Sequence, residues 1–200
     1  MVPDDLARAV VLWRRPLRST ANRRKRDLWD EPTSYRSGIS EAASMDNVEL
    51  AYLADHADQV VALAAALHAQ DHEYYGARTP ADVAADLALS LQREALPLAL
   101  IALHDGIVLG TATLSYDSIT THPHLGPWLT AFYVRPELRG HGIGRKLVAA
   151  IEAAAQRLGF AQLYAGSGRA AALFVRAGWH VLERVSYHGE EIAILRRDLR

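Results

Sequence analysis

The sequence has no cysteine among its 200 residues. This absence excludes a disulfide framework, a thiolate zinc site and any covalent mechanism that uses a cysteine nucleophile. Long apolar runs are also absent, since no stretch approaches the 18 residues that a membrane-spanning helix requires. The N-terminus lacks the basic, apolar and small-residue regions of a secretory signal, so we expect a soluble cytoplasmic protein with no membrane partner.

A large charge of either sign is absent as well, because the formal net charge is −1. The charges are nevertheless uneven: residues 1–44 hold nine of the 22 Lys and Arg but only six of the 23 Asp and Glu. We interpret 1–44 as a basic, disordered extension and 45–200 as the folded domain. Two alternatives stay open: an arm for nucleic acid or an acidic partner, centred on the cation-rich segment 14–26, and translation that starts at Met45.

Half of the residues are hydrophobic, which is enough for one domain with a buried core. Alternation and β-branched content predict strands, and apolar residues at helical spacing predict helices. Thr79-Pro80-Ala81-Asp82 is typical of a helix start, and Asp105-Gly106 is typical of a tight hairpin turn. The predicted strands are 47–53, 97–104, 107–116, 130–134, 161–165, 179–188 and 190–197, and the predicted helices are 57–69, 79–93, 143–158 and 169–176.

The most informative stretch is the strand, glycine-rich loop and helix at residues 130–159. Between strand and helix lies Arg139-Gly140-His141-Gly142-Ile143-Gly144-Arg145-Lys146, in which three glycines alternate with other residues and three cations flank them. Glycines let a phosphate approach the backbone closely, and the free N–H groups of a helix start attract negative charge. The loop therefore predicts a site for a polyanion.

The spacing of these glycines excludes two common nucleotide motifs. G-x-G-x-x-G requires glycine where Arg145 stands, and in the P-loop motif lysine directly follows the last glycine, whereas Lys146 does not follow Gly144 directly. The residues do match R-x-x-G-x-G, as Arg139, Gly142 and Gly144. In this arrangement the chain resembles the GNAT superfamily of acyl-CoA-dependent N-acetyltransferases, over roughly residues 46–199 and most specifically 128–179.

The resemblance implies an α/β fold of the α+β kind, with a central mixed, mostly antiparallel sheet of about six or seven strands flanked by helices. It also implies acetyl-CoA as cosubstrate, with the coenzyme A pyrophosphate on the glycine loop and the pantetheine arm beside the strand at 130–134. A backbone N–H near Val134 would then hold the oxyanion. The coenzyme-binding residues implied are Phe132, Tyr133, Val134, Arg139, Gly140, His141, Gly142, Ile143, Gly144, Arg145 and Phe174, with Lys146 as a further cation.

One position departs from the family pattern. The family's F-Y-E-x-x-G-[FW] segment corresponds to Leu173-Phe174-Val175-Arg176-Ala177-Gly178-Trp179, which places Phe174 where a tyrosine often protonates the leaving thiolate. The coenzyme A thiol has a pKa of about 8.5, so the unprotonated thiolate lies only about 2 kcal/mol in free energy above the thiol at pH 7. We therefore expect loss of the acid to slow turnover rather than abolish it.

The general base is open at this level, because several polar side chains precede the central strand. Our candidates are Glu73 in the polar segment after the first helix, and Asp117 and His122 in the loop at 117–127, with His72 and His124 as further possibilities. His122 and His124 lack a third ligand at a recognisable spacing, so we expect no metal site. Trp128 and Tyr74 are candidates for lining an acceptor pocket.

These observations favour an enzyme that moves an acetyl group from acetyl-CoA to an amine by direct attack in a ternary complex. The alternative is a non-catalytic acyl-CoA-binding regulatory domain, which the phenylalanine at 174 favours. The expected partner is a small-molecule or peptide amine; nucleic acid is disfavoured, since the segment 14–26 is the only hint of it. The sequence does not indicate which amine is used or what the oligomeric state is.

Overall fold

The computed structural model describes residues 47–199, so the predicted extension at 1–44 and its basic segment lie outside the described residues. The sheet has seven strands in the order β1-β2-β3-β4-β5-β7-β6. The strands are β1 (Glu49–Tyr52), β2 (Leu98–His104), β3 (Ile107–Ser115), β4 (Trp128–Val134), β5 (Gln162–Ser167), β6 (His180–Tyr187) and β7 (Glu190–Asp198). The helices are α1 (Val60–Gln70), α2 (His72–Tyr75), α3 (Pro80–Ala88), α4 (Ile143–Arg157) and α5 (Ala171–Arg176), with 3₁₀ turns at Leu53–Asp55, Ala57–Gln59 and Pro136–Leu138.

The predicted fold class is confirmed, because a mixed and mostly antiparallel sheet of seven strands is flanked by helices. Among the seven strands that the structure describes, only β4 and β5 pair in parallel. One prediction was too long: the helix expected over 79–93 ends at Ala88. Beyond that point Ser90 N donates to Leu87 O and Leu91 N to Ala88 O, the tighter pattern in which helices commonly end, and the carbonyl of Ser90 accepts from Ala99 at the start of β2.

The helices cover both faces of the first four strands. On one face α1 and α3 bury Leu63, Leu67 and Val83 against Ile101 of β2. On the other face α4 lies so close to β3 that a Cβ on Gly110 would be 3.2 Å from the Leu147 side chain. This double covering explains why β2 is apolar along nearly its whole length, since both of its faces are buried.

The longest helix, α4, was predicted from a single apolar stripe. Its side chains Ile143, Leu147, Val148 and Ile151 are all buried, and fully burying each such side chain stabilises the fold by about 1.5–3 kcal/mol. Gly159, with φ +85°, follows the helix where a left-handed residue is needed. The helix is therefore held rigidly against the sheet, and its first turn has a fixed position.

Helix α3 begins with the predicted cap, in which Thr79 N donates to Asp82 Oδ2 at 2.7 Å and Asp82 N donates to Thr79 Oγ1 at 3.3 Å. The N–H donation from Thr79 holds the pKa of Asp82 below its usual range. A carboxyl group with a lowered folded-state pKa stabilises the fold above its unfolded pKa of about 3.9, and this contribution is lost as the pH falls through the lower folded value.

We therefore expect Asp82→Asn to be less stable than the wild type at neutral pH and the difference to shrink as the pH falls below about 4. Urea unfolding between pH 7 and pH 3 measures this difference. If the difference in free energy of unfolding between the two proteins is the same from pH 7 to pH 3, the charged carboxylate does not have this role.

Among residues 47–199, no helix has both the length and the apolar character needed to cross a membrane.

Candidate active site

The central feature of the site is a split between β4 and β5. The two strands pair only at Trp128 with Tyr164 and at Leu129 with Ala165. Past these pairs β4 continues along β3 to Val134, and β5 continues along β7 to Ser167. β4 stays paired with β3 and β5 stays paired with β7, but β4 and β5 no longer pair with each other. A slot therefore opens between β4 and β5 in the middle of the sheet.

A bulge in β4 accompanies the split. Thr113 pairs with Thr130 and Thr111 with Tyr133, so three steps along β4 oppose two steps along β3. Ala131, within the bulge, has φ +46°, in the left-handed region that alanine rarely adopts. A bulge bends its strand and increases the local twist, which turns the second half of β4 away from β5.

The backbone of β4 presents polar groups to the slot. Arg135 N donates to Leu109 O at 2.9 Å, so the N–H of Arg135 points toward β3. Because N–H directions alternate along a strand, the N–H of Val134 points to the opposite side, into the slot. The register of β4 with β5 ends at Leu129, so no residue of β5 pairs with Val134. An unpaired donor therefore faces the split.

The glycine loop leads from the end of β4 to the start of α4. Gly140 and Gly142 have φ of +87° and +82°, and a Cβ on either would meet no atom within 4 Å. Gly142 is the N-cap of α4 and supplies no capping side chain, so the first amides of the helix have no acceptor within the helix. This open cradle of backbone N–H groups fits a pyrophosphate.

The predicted cations of the loop lie in different environments. Arg145 is exposed and Lys146 is half-buried on the first turn of α4. Arg139 is engaged with the protein: its Nε donates to Val134 O at 3.0 Å, and an Nη donates to Gln70 Oε1 at 2.8 Å. His141 is exposed, with Nδ1 3.1 Å from the carbonyl of Arg139.

Gly144 has a packing role in addition to its free N–H. A Cβ there would lie 2.9 Å from the Leu173 side chain and 3.1 Å from Cζ of Phe132, so only glycine lets α4 approach β4 and α5 this closely. Phe174 is buried, with its ring 5.6 Å from Phe132 and 5.0 Å from Trp179. These aromatic rings pack into one apolar wall beneath α4.

Because Phe174 is 1% exposed, we expect Phe174→Ala to lower the free energy of unfolding by about 3–5 kcal/mol, as the truncation leaves a cavity among aromatic rings. Denaturant unfolding measures the loss. The neighbouring Val175 is 49% exposed, so Val175→Ala serves as a control with an expected effect within about 0.5 kcal/mol. Equal losses for both variants would show that Phe174 does not anchor this wall.

The end of α1 joins the two sides of the split. Gln70 Nε2 donates to Phe132 O on β4 at 3.2 Å. Arg169, which follows β5, donates to the carbonyl of Gln70 at 3.2 Å and pairs with Asp71 at 3.1 Å. Sequence reasoning missed Gln70, Asp71 and Arg169, because no motif marks them and only the fold brings them together.

The candidate bases are dispersed around the split. Glu73 on α2 and Asp117 at the start of the loop 116–127 are both exposed. His122 in the same loop is largely enclosed, with Nε2 3.1 Å from Glu183 on β6 and Nδ1 2.8 Å from Thr121 Oγ1. Its neighbour His124 is exposed, with the two rings 5.9 Å apart.

Two tyrosines follow Glu73 on α2. Burial raises the pKa of Tyr75 to about 12, and the nearby charge of Asp71 adds to the shift. Burial also raises the pKa of Tyr74 well above its usual range, and Tyr187 adds to that shift. Both phenols are therefore neutral at physiological pH.

A surface pocket of about 550 Å³ lies at the other end of β5, away from the split. Glu152 in it accepts from Trp179 Nε1 at 2.7 Å and pairs with Arg197, so its polar groups serve packing. Its lining residues are Glu152, Gln156, Gly178, His180, Arg197, Asp198 and Leu199. Within residues 47–199, no group of three or more His, Asp or Glu side chains has the arrangement of a metal site.

Comparison with solved structures shows the same fold in several proteins. The yncA protein of Salmonella typhimurium, solved with its cofactor acetyl-CoA, is 19% identical with a TM-score of 0.55 over 77% of this chain and 95% of its own. An N-acetyltransferase from Staphylococcus aureus Mu50 is 17% identical with a TM-score of 0.60, over 77% of this chain and 99% of its own. An aminoglycoside 6′-N-acetyltransferase complexed with coenzyme A is 14% identical with a TM-score of 0.61, over 76% of this chain and 97% of its own. No curated protein matches the sequence.

The model of the Acetyltransferase (GNAT) family matches residues 63–179, which include most of α1, the split, the glycine loop and α5. Proteins of this family take acetyl-CoA as cosubstrate and transfer its acyl group, and the open glycine cradle beside the split fits that coenzyme. The matched segment spans more than half of the sequence, and the chain belongs to the Acetyltransferase (GNAT) family.

Proposed function

We propose that this chain transfers the acetyl group of acetyl-CoA to a primary amine by direct attack within a ternary complex. The observation that carries the proposal is the split, where the unpaired N–H of Val134 faces a slot that leads to the N-terminus of α4. Acetyl-CoA supplies an acetyl group activated as a thioester. The remaining chemistry is assigned to residues of the chain itself.

Binding is assigned to the glycine cradle. The free N–H groups of Ile143, Gly144 and Arg145 in the first turn of α4 would hold the pyrophosphate, aided by the positive end of the helix dipole. Arg145 and Lys146 add positive charge on the same turn. Arg139, through its bond to the Val134 carbonyl, would fix the loop relative to the end of β4.

The N–H of Val134 is assigned to the oxyanion. A fixed backbone donor in a slot shielded from water stabilises developing negative charge, and loss of one such donor typically reduces turnover by about 10²–10³-fold. Phe132, two residues before Val134 on β4, packs against the buried ring of Phe174 and makes this part of the strand apolar. Proton removal from the amine is assigned to Glu73, Asp117, His122 or water. Of these side chains, Glu73 lies only three residues from Gln70, which contacts β4.

The rival function is binding of an acyl-CoA without turnover, as in a regulatory domain. It is favoured by Phe174, a buried ring without a hydroxyl where the family often has an acid. Under the catalytic proposal, coenzyme A leaves as the thiolate, which lies about 2 kcal/mol above the thiol at pH 7 for a pKa of about 8.5, and it takes up a proton from solvent after it has left.

Thiol release from acetyl-CoA across a panel of amines, beside calorimetric titration of acetyl-CoA into the same protein, tests the two functions. Release that requires both an amine and the protein supports acetyl transfer. Tight binding with no release on any amine supports the regulatory domain, and Phe174→Tyr then asks whether an added acid restores turnover. Absence of binding refutes both functions.

A further inference from the structure

A row of hydroxyl side chains crosses one face of the sheet at the split. Thr111, Thr113 and Ser115 alternate along β3, so their side chains lie on the same face. Thr113 pairs with Thr130 on β4, which places the side chain of Thr130 on that face as well. We call Thr113, Ser115 and Thr130 the hydroxyl seam.

The hydroxyl seam lies between two apolar clusters of this face. Tyr133 of β4 packs against the cluster to which α1 contributes. Trp128, also on β4, belongs to a second cluster together with Ile119 and Leu125 of the loop 116–127. Since Thr130 lies between Trp128 and Tyr133 along the strand, a polar strip separates the two apolar parts of the face.

Thr130 lies where the slot between β4 and β5 opens. It is the first residue of β4 beyond the pairing with β5, which ends at Leu129. The burial of β4 changes at the same point, because Trp128 and Leu129 are buried whereas residues 130–133 are only half-buried. Half-buried residues in a central strand indicate an opening, so Thr130 lies at the boundary between the slot and the core.

Hydrogen bonding connects this boundary to the surface. Thr130 Oγ1 and Ser115 Oγ are 2.9 Å apart, and either hydroxyl can donate to the other. The carbonyl of Thr113 lies 3.5 Å from Thr130 Oγ1, which is long for a hydroxyl donor. Ser115 ends β3 and is half-buried, and the next residues, Tyr116 and Asp117, are exposed. Two bonded hydroxyls therefore lead from the slot to an exposed segment.

Thr113 shows that the strip has hydrogen-bonding capacity that the fold does not use. Thr113 is 4% exposed, and among residues 47–199 its Oγ1 has no hydrogen-bond partner. An unsatisfied buried hydroxyl costs about 1–3 kcal/mol. Thr111, two residues earlier, avoids this cost because its hydroxyl donates to Leu100 O at 2.9 Å. Packing alone does not explain a hydroxyl at position 113.

We propose that the hydroxyl seam carries the proton of the acceptor nitrogen out of the slot, from Thr130 through Ser115 to solvent. This inference rests on the proposed acetyl transfer and adds a proton path to it. After attack, the N–H bond breaks as Thr130 Oγ1 gains the proton, the hydroxyl proton of Thr130 moves to Ser115, and that of Ser115 moves to water. The C–S bond breaks, and its electron pair leaves with the thiolate.

The chemistry of hydroxyl groups suits this path. A hydroxyl accepts and donates at the same oxygen, so a bonded pair transfers a proton and is restored without keeping a charge. A carboxylate at the half-buried position of Thr130 would instead have to be desolvated as a charged group. Glu73 and Asp117, two of the candidate bases, are exposed, and the seam connects the slot to the exposed segment that contains Asp117.

The test measures the single-turnover rate of acetyl transfer to an accepted amine in mixtures of H₂O and D₂O, so that product release does not contribute. For the wild type we expect a slower rate in D₂O and a curved dependence on the deuterium fraction, because several protons move together. Thr130→Val and Ser115→Ala should each lower the rate about 10²-fold and make the dependence linear. Calorimetry should give an unchanged affinity for acetyl-CoA in both variants.

Two further variants separate proton transfer from stability. Thr130→Ser keeps the hydroxyl, so we expect it to recover the rate that Thr130→Val loses and to keep the curved dependence. Thr111→Val removes a buried hydroxyl that is bonded to Leu100 and lies outside the seam, so it controls for a loss of stability.

A wild-type rate in Thr130→Val overturns the inference, and so does a linear dependence in the wild type. A lower rate in Thr130→Val with the curved dependence retained would indicate a structural role and also overturns it. Acetyl-CoA binding with no release on any amine in the wild type instead refutes the proposed transfer itself. The two failures are thus distinguishable.

Discussion

Gly142→Asp is expected to lower the affinity for acetyl-CoA by about 100-fold while the protein remains folded. Aspartate at this N-cap places a carboxylate where the cradle would receive the pyrophosphate, and like charges about 4–5 Å apart repel by about 3–4 kcal/mol at an effective dielectric constant near 20. Gly142 has φ +82°, so any side chain here carries some backbone strain, but aspartate and asparagine tolerate the left-handed region better than most residues and have open space around the Cβ. Calorimetric titration of acetyl-CoA measures the change.

Gly142→Asn is the matched control, because it has the same size and the same φ of +82° to accommodate but carries no charge. A Cβ at this position meets no atom within 4 Å, so neither side chain creates a clash within the described fold. We expect asparagine to weaken binding by only a few-fold. Equal losses for the two variants would indicate a steric effect and contradict an anion site at α4.

Val134→Pro has the second large expected effect, a fall in kcat of about 10²–10³-fold. Proline removes the N–H that faces the split, and the ladder with β3 is preserved because the Val134 N–H does not take part in it. The preceding residue, Tyr133, is in a strand and so already has the extended conformation that a following proline requires. Steady-state turnover with acetyl-CoA and an accepted amine measures the change.

Val134→Ala is the control for this variant, because it shortens the side chain and keeps the N–H. Tyr133→Pro supplies the contrast: by alternation the Tyr133 N–H points toward β3, so its loss should destabilise the sheet itself. If Val134→Pro folds, binds acetyl-CoA and turns over at the wild-type rate, the oxyanion is not held at Val134.

The parts of the fold that follow local rules were predictable. The capping box at Thr79 and Asp82 and the hairpin turn at Asp105-Gly106 depend on adjacent residues, and both are present. The loop at Gly140 and Gly142 was predictable for the same reason, because glycine accommodates positive φ and supplies no side chain to cap the helix that follows. The helix predicted to reach Arg93 failed because the carbonyl of Ser90 pairs with distant backbone at Ala99 rather than extending the helix.

The split itself combines a predictable and an unpredictable part. The family resemblance implied that the pantetheine arm lies beside the strand at 130–134, but the bulge at Ala131 carries no sequence signal, because alanine is uncommon at φ +46°. Gln70 and Phe132 are 62 residues apart, and Arg169 and Asp71 are 98 apart. Contacts of this kind depend on the assembled sheet, so local patterns do not reveal them.

The contacts around Tyr74 were not predictable either. Tyr74 was a candidate for lining a pocket, but Tyr187 and His188 belong to a predicted hairpin that showed no functional motif. The structure joins them through ring contacts and through the bond from Thr120 to Tyr187. Because these partners are far apart in sequence, no local pattern marks them.

Amide hydrogen exchange with and without acetyl-CoA is the most direct test of the central claim, that the coenzyme lies in the split with its pyrophosphate on α4. The account predicts slower exchange at the free amides of residues 143–145 and at Val134, which all lack a backbone acceptor in the described fold. Protection confined to other parts of the chain, or no protection at saturating acetyl-CoA, would contradict it.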